Sequence, residues 1–308
     1  MHWPSILAYM LSSFFIVIFN KIVLTIFAFH SVPFIIFCQS IFTIIVFLLK
    51  CYKIKYPTKT LWKVCFLNVS NVFFGISASG ALNVAMFSAL RRVSIFMTLI
   101  GQWAFLGQRP SKGVVFSVFM MILGAIIASA DDLSFNLLGY LYVMANNLFT
   151  ASSQIETKRA IEQEWTKTDI LFWSACLSAL VFGLQLLHFD TKSFDAWDNG
   201  GFRIAFFFSM CLGFVINWSA SWTIEMNDAL TLAVAGSTKS AIMGLIVCAG
   251  LFDTTYVFSW INFTGLQVSA IASLCYVYSV HNRDKTLSGQ DADKNSLKES
   301  IEETQLDP

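Results

Sequence analysis

Long apolar stretches, separated by short polar interruptions, run through almost the whole of this chain. Ten of them can be distinguished, at about residues 5–28, 32–50, 62–80, 82–106, 113–130, 135–156, 169–189, 203–224, 229–251 and 256–280. A transmembrane helix needs roughly 20 mainly apolar residues, and backbone groups in lipid must be hydrogen-bonded internally. The pattern therefore predicts an all-α, polytopic membrane protein with ten transmembrane helices. The third and fourth stretches abut near Gly80, and one broken helix there would reduce the count to nine.

The composition supports a membrane protein and excludes an ordinary soluble domain. Of the 308 residues, 56% are hydrophobic and 13% are charged, against about 25% charged residues in soluble domains. The seven Cys form no CxxC pair and the four His show no ligand spacing, so neither a metal site nor a disulfide framework is indicated. We expect no cofactor and no nucleic-acid partner, and the lipid bilayer is the expected environment.

Lysine and arginine residues outside the apolar stretches fall mostly on one side of a ten-span arrangement. Fourteen of the twenty lie on one side, only Lys192 and Arg203 lie on the other, and four lie inside the stretches. Because basic loops stay in the cytosol, both termini are predicted to be cytosolic. Residues 1–280 are expected to form the membrane domain, and the polar residues 281–308 a disordered cytosolic tail. The pattern does not fix the oligomeric state, and a homodimer is compatible with it.

Four basic residues stand inside the apolar stretches: Lys21, Arg91, Arg92 and Lys239. A charge at bilayer depth costs at least about 2.5–3.5 kcal/mol, so such residues usually mark a binding site or a transport pathway. No Asp or Glu precedes Asp131, and the acids nearest to Lys239 stand at the ends of its own stretch. An unpaired cation in a low dielectric requires an anion from outside the protein. The sequence thus predicts an anion-binding site within the membrane.

Snorkelling to a membrane interface is the alternative role for these cations. For Lys21, near the end of its stretch, snorkelling and ligand contact are equally good interpretations. Arg91 and Arg92 lie about ten residues into the fourth stretch, which makes snorkelling difficult. Since adjacent helical residues point about 100° apart, only one of the two arginines is expected to face the site directly.

A receptor or a membrane-embedded transferase is the alternative from another functional class. A transferase would need a carboxylate or a His near the basic residues, and none of the acids is placed deep enough. A receptor is expected to have seven spans. The asparagines at 146 and 147 in the sixth stretch are interpreted as hydrogen-bonding between helices rather than as ligands.

A weak internal repeat relates the two halves of the chain at an offset of 148 residues. It equates Arg91 with Lys239, and it pairs Ala81, Ala85 and Gly124 with alanines at 229, 233 and 272. The offset aligns span four with span nine, and these two spans cross the membrane in opposite directions. We therefore predict two inverted five-helix repeats, at about residues 1–131 and 132–280, with Arg91 and Lys239 facing one central cavity.

Several segments resemble nucleotide-sugar transporters of the drug/metabolite transporter superfamily. The similarity to the GDP-mannose group is carried by Ser5-Ile-Leu-Ala-Tyr9, Ser12-Ser13 and Asn20-Lys21-Ile-Val23. The similarity to the UDP-glucuronic acid/UDP-N-acetylgalactosamine group is carried by Leu90-Arg91-Arg92-Val-Ser94-Ile95, Asn227-Asp-Ala-Leu-Thr231 and Asn262-Phe-Thr-Gly-Leu266. Together these segments extend the resemblance from about residue 5 to 280.

The resemblance implies a ten-helix Golgi or ER carrier that exchanges a cytosolic nucleotide sugar for a lumenal nucleoside monophosphate. By position, Arg91 matches a basic residue on the phosphate side of span four, and Tyr9 matches a substrate-contacting tyrosine of span one. Gly236 and Lys239 fall in the Gly-Ala-Leu-Asn-Lys region of span nine, although the lysine comes one residue early.

The chain departs from the GDP-mannose group in span seven. That group has Phe-Tyr-Asn-Asn there, whereas this chain has Phe172-Trp173-Ser174-Ala175. Both asparagines that would read guanine are absent, which leaves Ser174 as a candidate to hold a uracil. The leading hypothesis is antiport of a UDP-sugar against UMP; the alternative is a GDP-sugar/GMP antiporter or another organophosphate carrier. The candidate substrate-binding residues are Arg91, Lys239, Gly236, Tyr9, Arg92, Lys21 and Ser174.

Overall fold

A computed structural model describes residues 1–27, 29, 31–50, 52–82, 87, 90–129, 136–186, 197–248, 260–261, 263–265 and 267–280. Within these residues all regular secondary structure is helical. The helices are α1 (Trp3–Lys21), α2 (Val32–Leu49), α3 (Lys59–Ala81), α4 (Val93–Leu106), α5 (Lys112–Ser129), α6 (Leu137–Glu162), α7 (Lys167–Gln185), α8 (Gly200–Met226), α9 (Ala229–Cys248) and α10 (Phe263–Val280). A π-helical turn, Ile22–Ile26, extends α1.

Each predicted span contains one described helix, although α4 covers only the second half of the fourth span, and six of the described helices are long and apolar enough to cross a membrane. The six are α1, α2, α3, α7, α8 and α10. The apolar helices α4, α5 and α9 have shorter apolar segments, and α6 carries many polar residues along its 26-residue length. The prediction of an all-helical, polytopic membrane protein is confirmed. The count of ten crossings stays a prediction, and the predicted tail at 281–308 lies outside the described residues.

Two basic side chains of α6 cap the carboxyl ends of two other helices. The Lys158 ammonium donates to the carbonyl oxygens of Ile224 at 3.1 Å and Asn227 at 2.8 Å, at the end of α8. The Arg159 guanidinium donates to the carbonyl oxygen of Phe105 at 2.7 Å, at the end of α4. The last carbonyls of a helix lack intrahelical partners and form the negative end of its dipole, so cations there are stabilising. Helices α4, α6 and α8 therefore end at the same face of the bundle.

Ion pairs connect further helices at this face. Those in the described residues are Lys63–Glu156 at 2.8 Å, Arg159–Glu156 at 3.0 Å and Lys167–Glu225 at 2.6 Å. The backbone N–H of His2 donates to Asn227 Oδ1 at 2.7 Å, which places the start of α1 here. A Cβ atom at Gly113, in the first turn of α5, would lie 2.6 Å from Ser279 Oγ, which places the end of α10 here too. Helix α1 begins and helix α10 ends at one face, which agrees with the predicted even number of crossings between these two ends.

The fourth span is interrupted at the two arginines. Residues 90 and 91 are helical, Arg92 lies in a turn, and α4 starts only at the next residue. Two side chains satisfy the carbonyl oxygens at this break: Asn147 Nδ2 donates to Leu90 O at 2.9 Å, and Ser94 Oγ donates to Arg91 O at 2.7 Å. Broken helices persist within a membrane when other groups satisfy the freed backbone. The hydrogen-bond pattern of the fourth span is therefore interrupted at the arginines, although Arg92 keeps right-handed helical angles at φ −67° and ψ −19°.

Helices α5 and α10 pack in backbone contact. A Cβ atom at Gly124 would lie 2.7 Å from the carbonyl oxygen of Gly265 and 2.8 Å from the backbone nitrogen of Ser269. The hydroxyl of Ser269 also donates to Met121 O at 3.0 Å. Small residues that let helix backbones approach closely are the usual basis of helix association in membranes.

We expect the Gly124→Ala substitution to destabilise the protein by about 1–3 kcal/mol, the usual cost of overpacking a close-packed interior. The added methyl group meets backbone atoms, so the two helices have to separate. The measurement is the thermal unfolding midpoint of the purified protein in detergent. Gly200→Ala is the matched control, because the nearest atom to a Cβ there is 3.9 Å away on Arg203. Equal midpoints for the two variants would contradict the packing argument.

Candidate functional site

Three of the predicted site residues, from three different helices, meet inside the bundle. Tyr9 of α1 interacts electrostatically with Arg91, which directly precedes the break before α4. A Cβ atom at Gly236 of α9 would lie 3.2 Å from Tyr9 Oη, so the lack of a side chain there makes room for the phenol. Ser13, one turn along α1, forms a hydrogen bond with Tyr9. We refer to Tyr9, Arg91 and Gly236 as the central cluster.

The charge of Arg91 is available to a ligand. The residue as a whole is exposed, but its guanidinium lies deep among protein atoms, 5.5 Å from the ring centroid of Phe87. An aromatic face attracts a cation but does not neutralise it. No carboxylate lies within ion-pair distance of Arg91 in the part of the chain that the structure describes. The central cluster can therefore bind an anion through a guanidinium and a phenolic hydroxyl.

Arg92 lies in a different environment from Arg91. Only 4% of it is exposed, and its Nη1 atom donates to the hydroxyl of Ser269 on α10. Its Nε atom is buried and has no hydrogen-bond partner. The turn at Arg92 thus directs one guanidinium toward α10 and leaves the other beside Tyr9. Of the two arginines, the structure places Arg91 in the central cluster.

The two predicted lysines occupy described helices, but their side chains lie outside the described residues. Lys21 is the last residue of α1, directly before the π-helical turn. Lys239 follows Gly236 by three residues on α9. Residues three apart share one face of a helix, so Lys239 stands on the side of α9 that carries Gly236. Their contacts with a ligand stay predictions.

Ser174 contacts α3 rather than the central cluster. Its hydroxyl accepts a hydrogen bond from Asn68 Nδ2 at 3.3 Å and donates to Cys65 Sγ at 3.5 Å. The described contacts therefore do not bring Ser174 together with Tyr9, Arg91 or Gly236. A direct contact between Ser174 and a uracil stays a prediction.

A polar contact joins α3 and α6, and the sequence predicted only the residues that α6 contributes to it. Asn146 Nδ2 donates to the carbonyl oxygen and to the Oδ1 atom of Asn71, at 2.7 and 2.9 Å, and the hydroxyl of Thr150 also donates to Asn71 Oδ1. The prediction that Asn146 and Asn147 hydrogen-bond between helices is confirmed. Asn71 was missed, although an amide in an apolar span is itself a signal, since each polar group at that depth needs a partner.

These groups suit binding better than bond-making chemistry. In the described residues, neither a carboxylate nor an imidazole contacts Tyr9 or Arg91, so no acid–base pair stands at the central cluster. General acid–base catalysis needs such a group within hydrogen-bond reach of the reacting atom. A cation, a hydroxyl and a space left by a glycine can hold an anionic ligand without changing it.

Comparisons with known proteins agree with a binding role. UDP-sugar transporter UST74c from Drosophila melanogaster is 34% identical over 301 residues, covering 93% of this chain and 80% of that protein. Nucleotide sugar transporter SLC35D2 from Homo sapiens is 35% identical over 288 residues, covering 89% of this chain and 85% of that protein. A crystal structure with a TM-score of 0.65 covers 89% of this chain and 98% of its own, at 15% identity. This last likeness concerns the fold alone.

A family model described as the triose-phosphate transporter family matches residues 5–277, which include all ten helices except the first and last few residues. The match spans the central cluster and both halves of the predicted repeat. Together with relatives more than 30% identical over most of the chain, it shows that this protein belongs to the triose-phosphate transporter family and is a membrane transporter rather than an enzyme.

Proposed function

We propose that this transporter is a nucleotide-sugar antiporter that exchanges a cytosolic UDP-sugar for lumenal UMP across the Golgi or ER membrane, with both termini in the cytosol. The observation that carries the proposal is the guanidinium of Arg91, which lies beside Tyr9 and Gly236 and has no ion-pair partner among the described residues. Two of the relatives are named as UDP-sugar and nucleotide sugar transporters. Their ligands carry phosphates, which are the anions that such a cation binds.

Phosphate is the ligand group that suits the central cluster. An arginine can bind a phosphate through two parallel charge-assisted hydrogen bonds, which are about twice as strong as neutral ones. The Tyr9 hydroxyl can donate a further bond. Lys239, on the same side of α9 as Gly236, is the proposed second cation. Two cations can match a nucleotide sugar or a nucleoside monophosphate, each of which carries about two negative charges at neutral pH.

Two inverted repeats are the proposed framework of the transport cycle. Met121 and Ser269, which the offset of 148 equates, contact each other, as expected if the pseudo-twofold axis passes between α5 and α10. The close α3–α6 interface has the α1–α8 interface as its mate under the same relation. The central cluster joins α4, which packs with α6, to α1 and α9, which pack with each other and with α8. Rocking of these two groups of helices would expose the cluster to each side in turn.

Obligate exchange follows from the electrostatics of the site. An empty site leaves the cation of Arg91 without a partner whenever the helices close around it and remove water. A bound nucleotide sugar or UMP neutralises it, so only the loaded transporter is expected to pass easily through the closed state. Transport then needs neither ATP nor an ion gradient.

The direct test is uptake of a labelled UDP-sugar into proteoliposomes that hold the purified protein. Preloading with UMP is expected to stimulate uptake at least about tenfold over empty vesicles, because the return step is slow without an anion. Preloading with GMP or AMP is the control for the base. Equal uptake without any preload would refute exchange, and stronger stimulation by GMP than by UMP would favour the GDP-sugar alternative.

Adjacent arginines provide a matched pair of variants. Arg91→Met is expected to reduce exchange by at least about a hundredfold, since removing a charge-assisted phosphate contact typically costs several kcal/mol, and to change the unfolding midpoint little. Arg92→Met is expected to raise the midpoint, because it removes a buried cation that has one hydrogen bond and an unsatisfied Nε atom. Exchange rates and thermal midpoints of the two variants are measured together. A greater loss of exchange in Arg92→Met than in Arg91→Met would reverse the assignment.

A further inference from the structure

The proposed exchange assigns no ligand to two asparagine side chains on α3. Asn68 and Asn71 stand three residues apart and therefore lie on neighbouring parts of one helix face. Trp62, Phe66 and Phe73 mark the opposite, lipid-facing side of α3, with 43%, 59% and 38% of their surface exposed. Both asparagines are half-buried and face the inside of the bundle.

The orientation of the Asn71 amide is fixed by its neighbours. Its Oδ1 atom accepts from Asn146 Nδ2 at 2.9 Å and from the hydroxyl of Thr150. Asn146 Nδ2 also donates to the backbone carbonyl oxygen of Asn71 at 2.7 Å, which identifies it as a nitrogen, so the Asn71 side-chain atom it contacts is the carbonyl oxygen. The NH₂ group of Asn71 consequently points away from α6. It has no hydrogen-bond partner among the described residues, and it is not one of their fully buried polar atoms.

The Asn68 amide is also held in one orientation, but in this residue the NH₂ group is bound and the oxygen atom is left available. Its NH₂ group donates to Ser174 Oγ at 3.3 Å, and Ser174 in turn donates to Cys65 Sγ. The Oδ1 atom of Asn68 is thereby left as an acceptor without a partner in the described part of the chain, and it too remains accessible. One turn of α3 thus presents an unused acceptor and an unused donor, each held in place by another helix.

A contact through α6 connects this pair to the central cluster. Asn146 binds Asn71, and the next residue, Asn147, binds the carbonyl oxygen of Leu90, which directly precedes Arg91. In the described part of the chain, the buried Oδ1 atoms of Asn146 and Asn147 have no partner, so further hydrogen-bond donors are needed here. Asn71 of α3 and the residue before Arg91 therefore contact successive residues of α6.

We propose that Asn68 and Asn71 form the nucleobase subsite of the transporter and read the imide edge of uracil, an inference that rests on the proposed function. The Asn71 NH₂ group donates to the O4 carbonyl oxygen of uracil, and Asn68 Oδ1 accepts from the N3–H group beside it. A ribose hydroxyl can rotate to suit either partner, whereas a base edge has fixed donors and acceptors. Two amides held in fixed orientations match a base edge. Ser174 acts as a positioning residue that orients Asn68.

The test is a change of donor to acceptor at Asn71. Asn71→Asp keeps the size of the side chain and the acceptor for Asn146 and Thr150, but it replaces the free NH₂ group by an oxygen. That oxygen repels a uracil carbonyl and accepts from the amino group of cytosine. The ratio of half-inhibitory concentrations for UMP and CMP, measured as competitors of labelled UDP-sugar uptake, is expected to shift at least about tenfold in favour of CMP. Any effect of the new charge on the phosphate applies to both competitors and cancels in the ratio.

Three further measurements separate the possible outcomes. Inorganic phosphate, a competitor without a base, tests the central cluster alone. The same Asn→Asp change at the exposed Asn199 is the matched control and is expected to leave the UMP/CMP ratio unchanged. Ser174→Ala, a milder variant that is expected to fold even if Asn71→Asp does not, should weaken UMP several-fold and leave inorganic phosphate unchanged.

Each result either supports or overturns the subsite. An unchanged UMP/CMP ratio in Asn71→Asp, with normal exchange by the wild-type protein, overturns the subsite and leaves the proposed function standing. A shift in the choice between UDP-sugars with an unchanged ratio also overturns it, because the amides would then read the sugar. Failure of the wild-type protein to exchange any nucleotide refutes the proposed function itself.

Discussion

The rest of the site depends on one constraint: the Arg91 guanidinium is a cation in the interior of the bundle, next to α1 and α9. A guanidinium in a low dielectric is unfavourable unless water or an anion reaches it. In the described residues its neighbours are a phenol and an aromatic ring, and neither carries an opposite charge. A carboxylate beside it would stabilise the empty protein and compete with the ligand. If the proposed exchange is correct, this charge makes the empty site less stable than the loaded one, and the difference couples the two directions of transport.

The two successive arginines differ because adjacent helical residues point about 100° apart, and Arg92 keeps right-handed helical angles at φ −67° and ψ −19°. The helical hydrogen-bond pattern is nevertheless interrupted here, and the freed carbonyl oxygens are bound by Asn147 and Ser94. Arg91 stays exposed beside Tyr9, whereas Arg92 is buried against α10. The polar residues of α6 thus do more than join helices, because one of them also supports the backbone that positions the cation.

The fold was predictable from hydropathy because each apolar stretch has to form a helix in lipid, and the helices follow the predicted spans closely. Arg91, Tyr9 and Gly236 were predictable because a cation, a phenol and a glycine at matching positions resemble a family site. The break at Arg92 was not, since nothing in Leu90-Arg91-Arg92 is a Gly or Pro and the partners that stabilise it come from distant residues. Ser174 shows the same limit. Its sequence position suggested a ligand contact, whereas its hydrogen bonds depend on α3.

Affinity and specificity have different physical sources in such a site. The phosphates provide most of the charge, and every nucleotide carries them, so Arg91 and Lys239 cannot by themselves distinguish one base from another. Discrimination requires neutral groups whose donors and acceptors are fixed, because a mismatched edge then leaves a buried polar group unpaired. An amide side chain meets this requirement only when other residues prevent a 180° flip, which would exchange its oxygen and nitrogen atoms. Asn146 and Thr150 hold Asn71, and Ser174 holds Asn68. The chain that lacks the two asparagines in span seven thus has two restrained ones on α3, the helix against which α7 packs.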